Sequence, residues 1–357
     1  MKRNVIRLLS KSHILIKLLL TKFFKFKQHK RYKLINLNML LKYNIEPEET
    51  IAAVKKLLPE SSAQGGGDLA SFCSWPDEIK HFSQWQWTSS LHYVNTPDYR
   101  CNYQYCRDCQ DSHMQKDRFV TGAIFNYTSQ LMSASVNSQT LVQYNLREAL
   151  MFLSHYMGDV HQPLHTGFSG DRGGNTIIVH WYNSKTNLHH VWDDMIIESA
   201  LKTYYNSSLS VMIQSLQAKL MNAWSNDVPS WESCQFNQTA CPDQYASKII
   251  GLACKYAYRN ATPGTTLGDE YFLSRLPIVE KRLAQGGIRL AAILNQLVEM
   301  GRSFIRTFPV SEQPRSLKAN ASRCHFEARR DFVNRSKDAS CTLVHWECSH
   351  FIWLYDP

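Results

Sequence analysis

NLREALMFLSHYMGDVHQPLH, residues 145–165, is the stretch whose reading decides the fold. Its apolar residues recur at helical spacing, which predicts a long helix. Pro163 has no amide hydrogen to give, so the helix ends near it. His155 and Asp159 are four apart and leave one face of that helix. An imidazole and a carboxylate on successive turns can share one metal ion. His165 follows the proline, where the chain has turned, and so faces a different ion. A lone histidine in an apolar helix is ordinarily a hydrogen-bonded core residue. Three histidines and an aspartate within residues 155–165 point to metal instead.

A second segment, NLHHVWDD at residues 187–194, repeats the four-residue spacing with His189 and Asp193. Tertiary contact with His165 makes a His2Asp site with room for water or substrate. On a helix His190 points elsewhere, and Asp194 is expected to be a solvated or capping acid. Between the two segments, SGDRGGN reads as a turn and TIIVHWY as a strand. PEETIAAVKKLLPE, with proline and acids at its start and lysines late, reads as a short helix. EYFLSRLPIVEKRLAQGGIRLAAILNQLVEM supplies one or two more.

Charge divides the chain of 357 residues into three parts. Residues 1–43 hold 12 Lys/Arg and no acid, and their apolar run is broken by Lys17 and Lys22. They read as an unstructured basic segment without a convincing signal peptide. Residues 44–301 carry 19 basic and 24 acidic residues and form the folded domain. Residues 302–357 are polar, Ser/Arg-rich and aperiodic, and read as a poorly ordered tail. No apolar run reaches the roughly 18 residues that span a bilayer. The acidic domain excludes a broad basic groove as its means of holding a polyanion. A domain of this charge that handles phosphate needs metal ions to supply the positive charge.

Ten cysteines fall into two groups within the domain, Cys101, Cys106 and Cys109, then Cys234, Cys241 and Cys254, with others outside them. No CxxC pairs answer one another, so disulfides in an oxidising compartment are expected, with their pairing open. Asn-x-Ser/Thr acceptors at Asn126, Asn206, Asn237 and Asn260 agree with secretion.

Eight segments in order, SWPDEI, LHYVNTPDY, CNYQYCRDC, DRFVTGAIFNYTSQL, GDVHQPLHTGF, GDRGGNTI, NLHHVWD and RLAQGGIRLAA, resemble the zinc-dependent, single-strand-preferring nucleases of fungi and plants, above all the plant members. The same fold is shared with bacterial zinc phospholipase C. The resemblance implies a mainly helical single domain with short strands and disulfide-bonded loops. It implies three zinc ions: Asp77, His92, His155 and Asp159 on the first, His165, His189 and Asp193 on the second, and Asp159 bridging toward a third. It places Asn175 at substrate phosphate, Lys80 near the scissile phosphate and Tyr93 under a base, with Asp159, Lys80 and Asn175 as the catalytic set.

Two departures qualify this resemblance. The family's N-terminal WGxxGH segment, which completes the third ion, is absent, and so is the expected disulfide partner of Cys73. Residues 1–43 stand in its place, with His13 and His29 in no matching context, so two zinc ions are expected for this chain. Asn95 stands where an aspartate is usual, which weakens any pairing with Lys80. The expected activity is endonucleolytic hydrolysis of single-stranded DNA and RNA to 5′-phosphorylated products by a monomer, secreted or vacuolar, with no stable protein partner. A catalytically inactive zinc-binding member and a phospholipase C-like phosphodiesterase are the alternatives.

Overall fold

The computed structural model describes residues 48–58, 69–110, 116–136, 144–235 and 238–307. The fold is mainly helical. The described helices are α1 (Glu48–Leu57), α2 (Leu69–Phe72), α3 (Trp75–Ile79), α4 (Tyr105–Asp108), α5 (Val120–Val136), α6 (Leu146–Asp159), α7 (Leu188–His190), α8 (Ile196–Tyr204), α9 (Leu209–Met221), α10 (Val228–Glu232), α11 (Pro242–Leu252) and α12 (Asp269–Thr307). Helix α6 is the centre. Asn145 caps it by accepting the Glu148 amide at 3.2 Å. Every residue from Ala149 to Asp159 is buried, because α5 lies on one side and α12 packs against both. His155 and Asp159 are therefore polar groups deep in an apolar helix.

Helix α6 ends at Asp159, and Pro163 opens a 3-10 turn, Pro163–Thr166, that carries His165. TIIVHWY does form a strand, β1 (Ile178–Trp181). It pairs antiparallel with β2 (Ser184–Asn187) and parallel with β3 (Thr266–Leu267). Strand β2 runs directly into α7, where the Asn187 side chain accepts the His190 amide at 2.8 Å. Helix α7 then passes through a π turn, Val191–Met195, into α8. Such wide turns recur at functional sites because they re-aim side chains without ending the helix.

The expected one or two C-terminal helices are a single helix, α12, which continues through Pro277. Buried polar side chains lie along it, Arg275, Glu280, Arg282, Gln285 and Arg289, and Arg275, Glu280 and Arg289 are held by partners from other elements. Glu280, for example, accepts from Tyr205 and Lys219. Disulfides form as expected: Cys101 joins Cys254 across the two cysteine groups, while Cys234 joins Cys241 within the second. Cys109 is a buried free thiol. No helix among the described residues is long and apolar enough to cross a membrane.

Candidate metal centre

Asp77 on α3, His92 at the end of a 3-10 helix (Ser83–His92), and His155 and Asp159 on α6 converge into one nest. His92 Nδ1 lies 3.0 Å from Asp159 Oδ2 and 3.5 Å from Asp77 Oδ1. His155 Nε2 lies 3.1 Å from Asp159 Oδ2, 3.7 Å from Asp77 Oδ1 and 2.9 Å from His92 Nδ1. A tetrahedral ion with ligand bonds of about 2.0–2.1 Å needs donors about 3.3 Å apart. These five separations scatter about that edge.

The second nest brings together His165, His189 and Asp193. His165 Nε2 is 3.3 Å from Asp193 Oδ1, and His189 Nε2 is 3.3 Å from Asp193 Oδ2. The two rings stack, with centroids 4.9 Å apart. Asp159 reaches toward this nest as well, with Oδ1 3.3 Å from His165 Nδ1. It is almost fully buried and stands between the two nests.

The tautomers follow from the outer contacts. A backbone carbonyl only accepts, so a ring nitrogen bonded to one must carry the proton. His155 Nδ1 donates to Cys73 O at 2.5 Å, His165 Nδ1 to His92 O at 2.6 Å and His189 Nδ1 to Gly173 O at 2.6 Å. With Nδ1 donating outward, all three rings turn Nε2 toward carboxylate oxygens. A lone pair against a carboxylate is repulsive unless a proton or a cation lies between them. At two of the nest histidines protonation is opposed: burial holds His189 below its ordinary value and pushes His92 down to about 3. Outward N–H to carbonyl and inward lone pair is the arrangement of metal-ligating histidine. His92 is reversed, with Nδ1 inward and a buried Nε2 that meets no hydrogen-bond partner among the described residues. The residues present fit zinc.

Gly173 gives the second nest its support. Its φ is +63°, and a Cβ there would sit 2.3 Å from Leu164 O, so only glycine lets this carbonyl reach His189. One supporting side chain is invisible from ligand spacing alone. Gln162, buried, donates from Nε2 to Asp193 Oδ1 at 2.7 Å and accepts the Leu164 amide with its Oε1. A polar residue between Asp159 and His165 was the only signal for it.

The other candidates fall around this centre. Lys80 lies one turn after Asp77 and donates to its Oδ1 at 2.8 Å. Asn175 is exposed in the glycine turn and donates to Arg172 O at 2.8 Å. Tyr93 follows His92, is 37% exposed and packs against Phe119 with ring centroids 5.6 Å apart. The two aromatics line a cleft of about 280 Å³ with Asn95, Pro97, Arg107, Asp108, Gln110 and Ser169. His161 is turned away from both nests: it donates to Met157 O and receives Arg289 at 2.8 Å. His190 does point elsewhere. Asp194, expected to be solvated or capping, is instead buried and paired with His190 at 3.2 Å. The π turn rolls it toward the core.

The S1/P1 Nuclease family model matches residues 44–299. Endonuclease 5 of Arabidopsis thaliana is 79% identical over 250 residues, which cover 70% of this chain and 84% of the relative. Endonuclease 2 of the same plant is 55% identical over 251 residues, again 70% of this chain and 84% of the relative. Nuclease P1 of Penicillium citrinum is 29% identical over 239 residues, or 64% of this chain and 84% of the relative. With the family model covering most of the sequence and two metal-ready nests at its centre, the chain belongs to the S1/P1 nuclease family, zinc-dependent enzymes that hydrolyse phosphodiester bonds.

Proposed function

We propose that this chain is a zinc-dependent endonuclease that cuts single-stranded DNA and RNA and leaves 5′-phosphates. The observation that carries the reading is the pair of nests in which carbonyl-held imidazoles turn lone pairs toward carboxylates. Asp77, His92, His155 and Asp159 would hold one zinc ion, and His165, His189 and Asp193 a second. Two ions are expected for this chain. Zinc supplies the positive charge that the acidic domain lacks, and activates water near neutral pH. The remaining work falls to the chain's own groups. Lys80, anchored on Asp77, swings its ammonium to a phosphate oxygen. Asn175 offers an amide hydrogen to the same phosphate from the exposed turn. Tyr93 gives one ring face to a base while Phe119 steadies it. A base must leave its stack to lie there, a contact worth roughly 1–3 kcal/mol, and this favours single strands.

Residues 44–301 are the catalytic domain in this reading; α12 runs past its expected end to Thr307, and the expected basic segment (1–43) and most of the expected tail (302–357) lie outside the described residues. The protein acts as a secreted or vacuolar monomer. Asn206 and Asn260 suit glycans, since both are exposed at turns with positive φ. Asn126 suits one less well: it is half-buried in α5 and bonded to Gln130. Asn237 lies outside the described residues.

The test is release of acid-soluble nucleotides from single-stranded DNA by the purified chain, stripped with chelator and then given zinc. Activity that zinc restores supports the reading. Two bound zinc ions without cleavage indicate a catalytically inactive member. Cleavage of phosphatidylcholine in preference to DNA moves the assignment to a phospholipase-type esterase.

A further inference from the structure

Residues 97–100 form a tight turn, in which the Arg100 amide donates to Pro97 O at 3.0 Å. Tyr99, its third residue, has φ +62°. That position ordinarily takes glycine or asparagine, and a bulky aromatic there is strained. The strain does not bury the ring. Tyr99 is 89% exposed, more than any other large apolar side chain among the described residues. Its inner side rests near Phe168, with centroids 5.9 Å apart, and Phe168 stacks on Tyr258 at 4.5 Å. The Phe168 amide also donates to Tyr258 Oη at 2.8 Å, so the footing is firm. A hydrophobic ring has been given a rigid base and its outer face left open.

The location gives this face a use. Pro97 and Ser169 line the cleft beside Tyr93. Tyr99 follows Pro97 by two residues, and its support Phe168 precedes Ser169 by one. The turn is also pinned to the loop that carries His165: Thr96 N–H donates to Gly167 O, and Ser169 N–H to Thr96 O. Tyr99 thus stands at the rim of the cleft that begins next to His92, fixed relative to the second nest. We propose that Tyr99 is a second stacking residue, which receives a nucleobase of a single-stranded substrate beyond the base held at Tyr93. The inference rests on the nuclease reading above. If the turn served shape alone, glycine would serve it as well or better.

That alternative defines the experiment. KM and kcat are measured for Tyr99→Gly and Tyr99→Trp on a strand of about 20 nucleotides and on a dinucleotide, which is too short to engage both rings. Glycine relieves the strained φ, so Tyr99→Gly is expected to melt no lower than the wild type. Its KM for the long strand is expected to rise relative to the dinucleotide by roughly 5-fold to 160-fold, the usual cost of one lost base stack. The loss falls on KM and not on kcat, and Tyr99→Trp restores it. An unchanged ratio of the two KM values in Tyr99→Gly overturns the inference. If Tyr99→Gly does not fold, Tyr99→Asn suits the same φ and is read the same way. If the wild type cleaves neither substrate, the nuclease reading fails by itself. Tyr99 is then judged by fluorescence anisotropy of labelled oligo(dT) in chelator: weaker binding by Tyr99→Gly supports the stacking role, and equal binding overturns it.

Discussion

Replacing Asp159 by asparagine separates a metal ligand from a structural acid. Asp159 Oδ2 and Asp77 Oδ1 lie 3.0 and 3.5 Å from the same nitrogen of His92. The two oxygens are thus no more than about 6.5 Å apart and, as unit charges at an effective dielectric near 20, repel by at least about 2.5 kcal/mol. Lys80 offsets part of this through Asp77. Asparagine removes the charge and can turn an amide N–H toward the His155 Nε2 lone pair, 3.1 Å from the oxygen it replaces. Metal-free Asp159→Asn is therefore expected to be more stable than the wild type by about 1–2 kcal/mol, or roughly 2–8 °C in Tm for a domain of this size. On the proposed ligand assignment zinc is expected to reverse the order, because the variant would lose a donor of the first nest and keep the second intact. Thermal melts in chelator and in zinc, with a zinc count, give both numbers. Nuclease activity should fall much further than in Lys80→Ala. A variant that melts lower in chelator yet gains the same rise with zinc would refute the reasoning, and so would equal activity losses in the two variants.

Gln162→Met removes the hydrogen bond to Asp193 while keeping side-chain length, and should weaken the second zinc by about 10–100-fold while sparing the first. Competition with a chromophoric chelator reads the two affinities separately; a joint change in both would point to general damage. Metal-free stability should fall with acidification below about pH 6.5. Burial depresses His92 to about 3 and holds His161 and His189 below their ordinary value, so the unfolded chain takes up protons that the native one refuses. Each such group contributes a slope of up to about 1.4 kcal/mol per pH unit. The stability is fully present above the unfolded value and lost as pH drops toward the folded one. Urea titrations at pH 7 and 5.5 check this, and equal midpoints would contradict it. The Cys101–Cys254 disulfide spans a sequence separation of 153 residues, so Cys101→Ser with Cys254→Ser should cost up to about 5 kcal/mol by loop entropy. An unchanged urea midpoint would show that packing alone holds this junction.

Local rules were enough for parts of the fold. The helix ending before Pro163 was legible because its apolar period and the proline agree. Strand β1 was legible from its β-branched run. The pairings His155 with Asp159 and His189 with Asp193 were legible as spacings, although the second crosses a π turn that no periodicity reveals. That turn is why Asp194 was misjudged: one extra residue in the helix rotates it from solvent into the core. The C-terminal stretch read as one or two helices, and tertiary packing carries α12 through Pro277 as one. Disulfide pairing depends on contacts between distant loops, so sequence position alone left it open. Asp77 and His92 have no local signature and were reached only through resemblance. Gln162 and the three supporting carbonyls act across the fold and leave almost no trace in spacing.

Those carbonyls have a consequence for how the centre tolerates change. The orientation of three imidazoles is set by the main chain at Cys73, His92 and Gly173, not by the identity of neighbouring side chains. Replacement at position 73, if volume is kept, leaves its carbonyl in place, so a mutational scan would pass over this support as silent. The His92 carbonyl is different. It belongs to a residue of one nest and steers His165 in the other, so a displacement of that single peptide reaches both nests at once. The two nests can therefore drift in their surroundings but not apart from each other, and an attempt to redesign one for another metal would have to be made with the second in view.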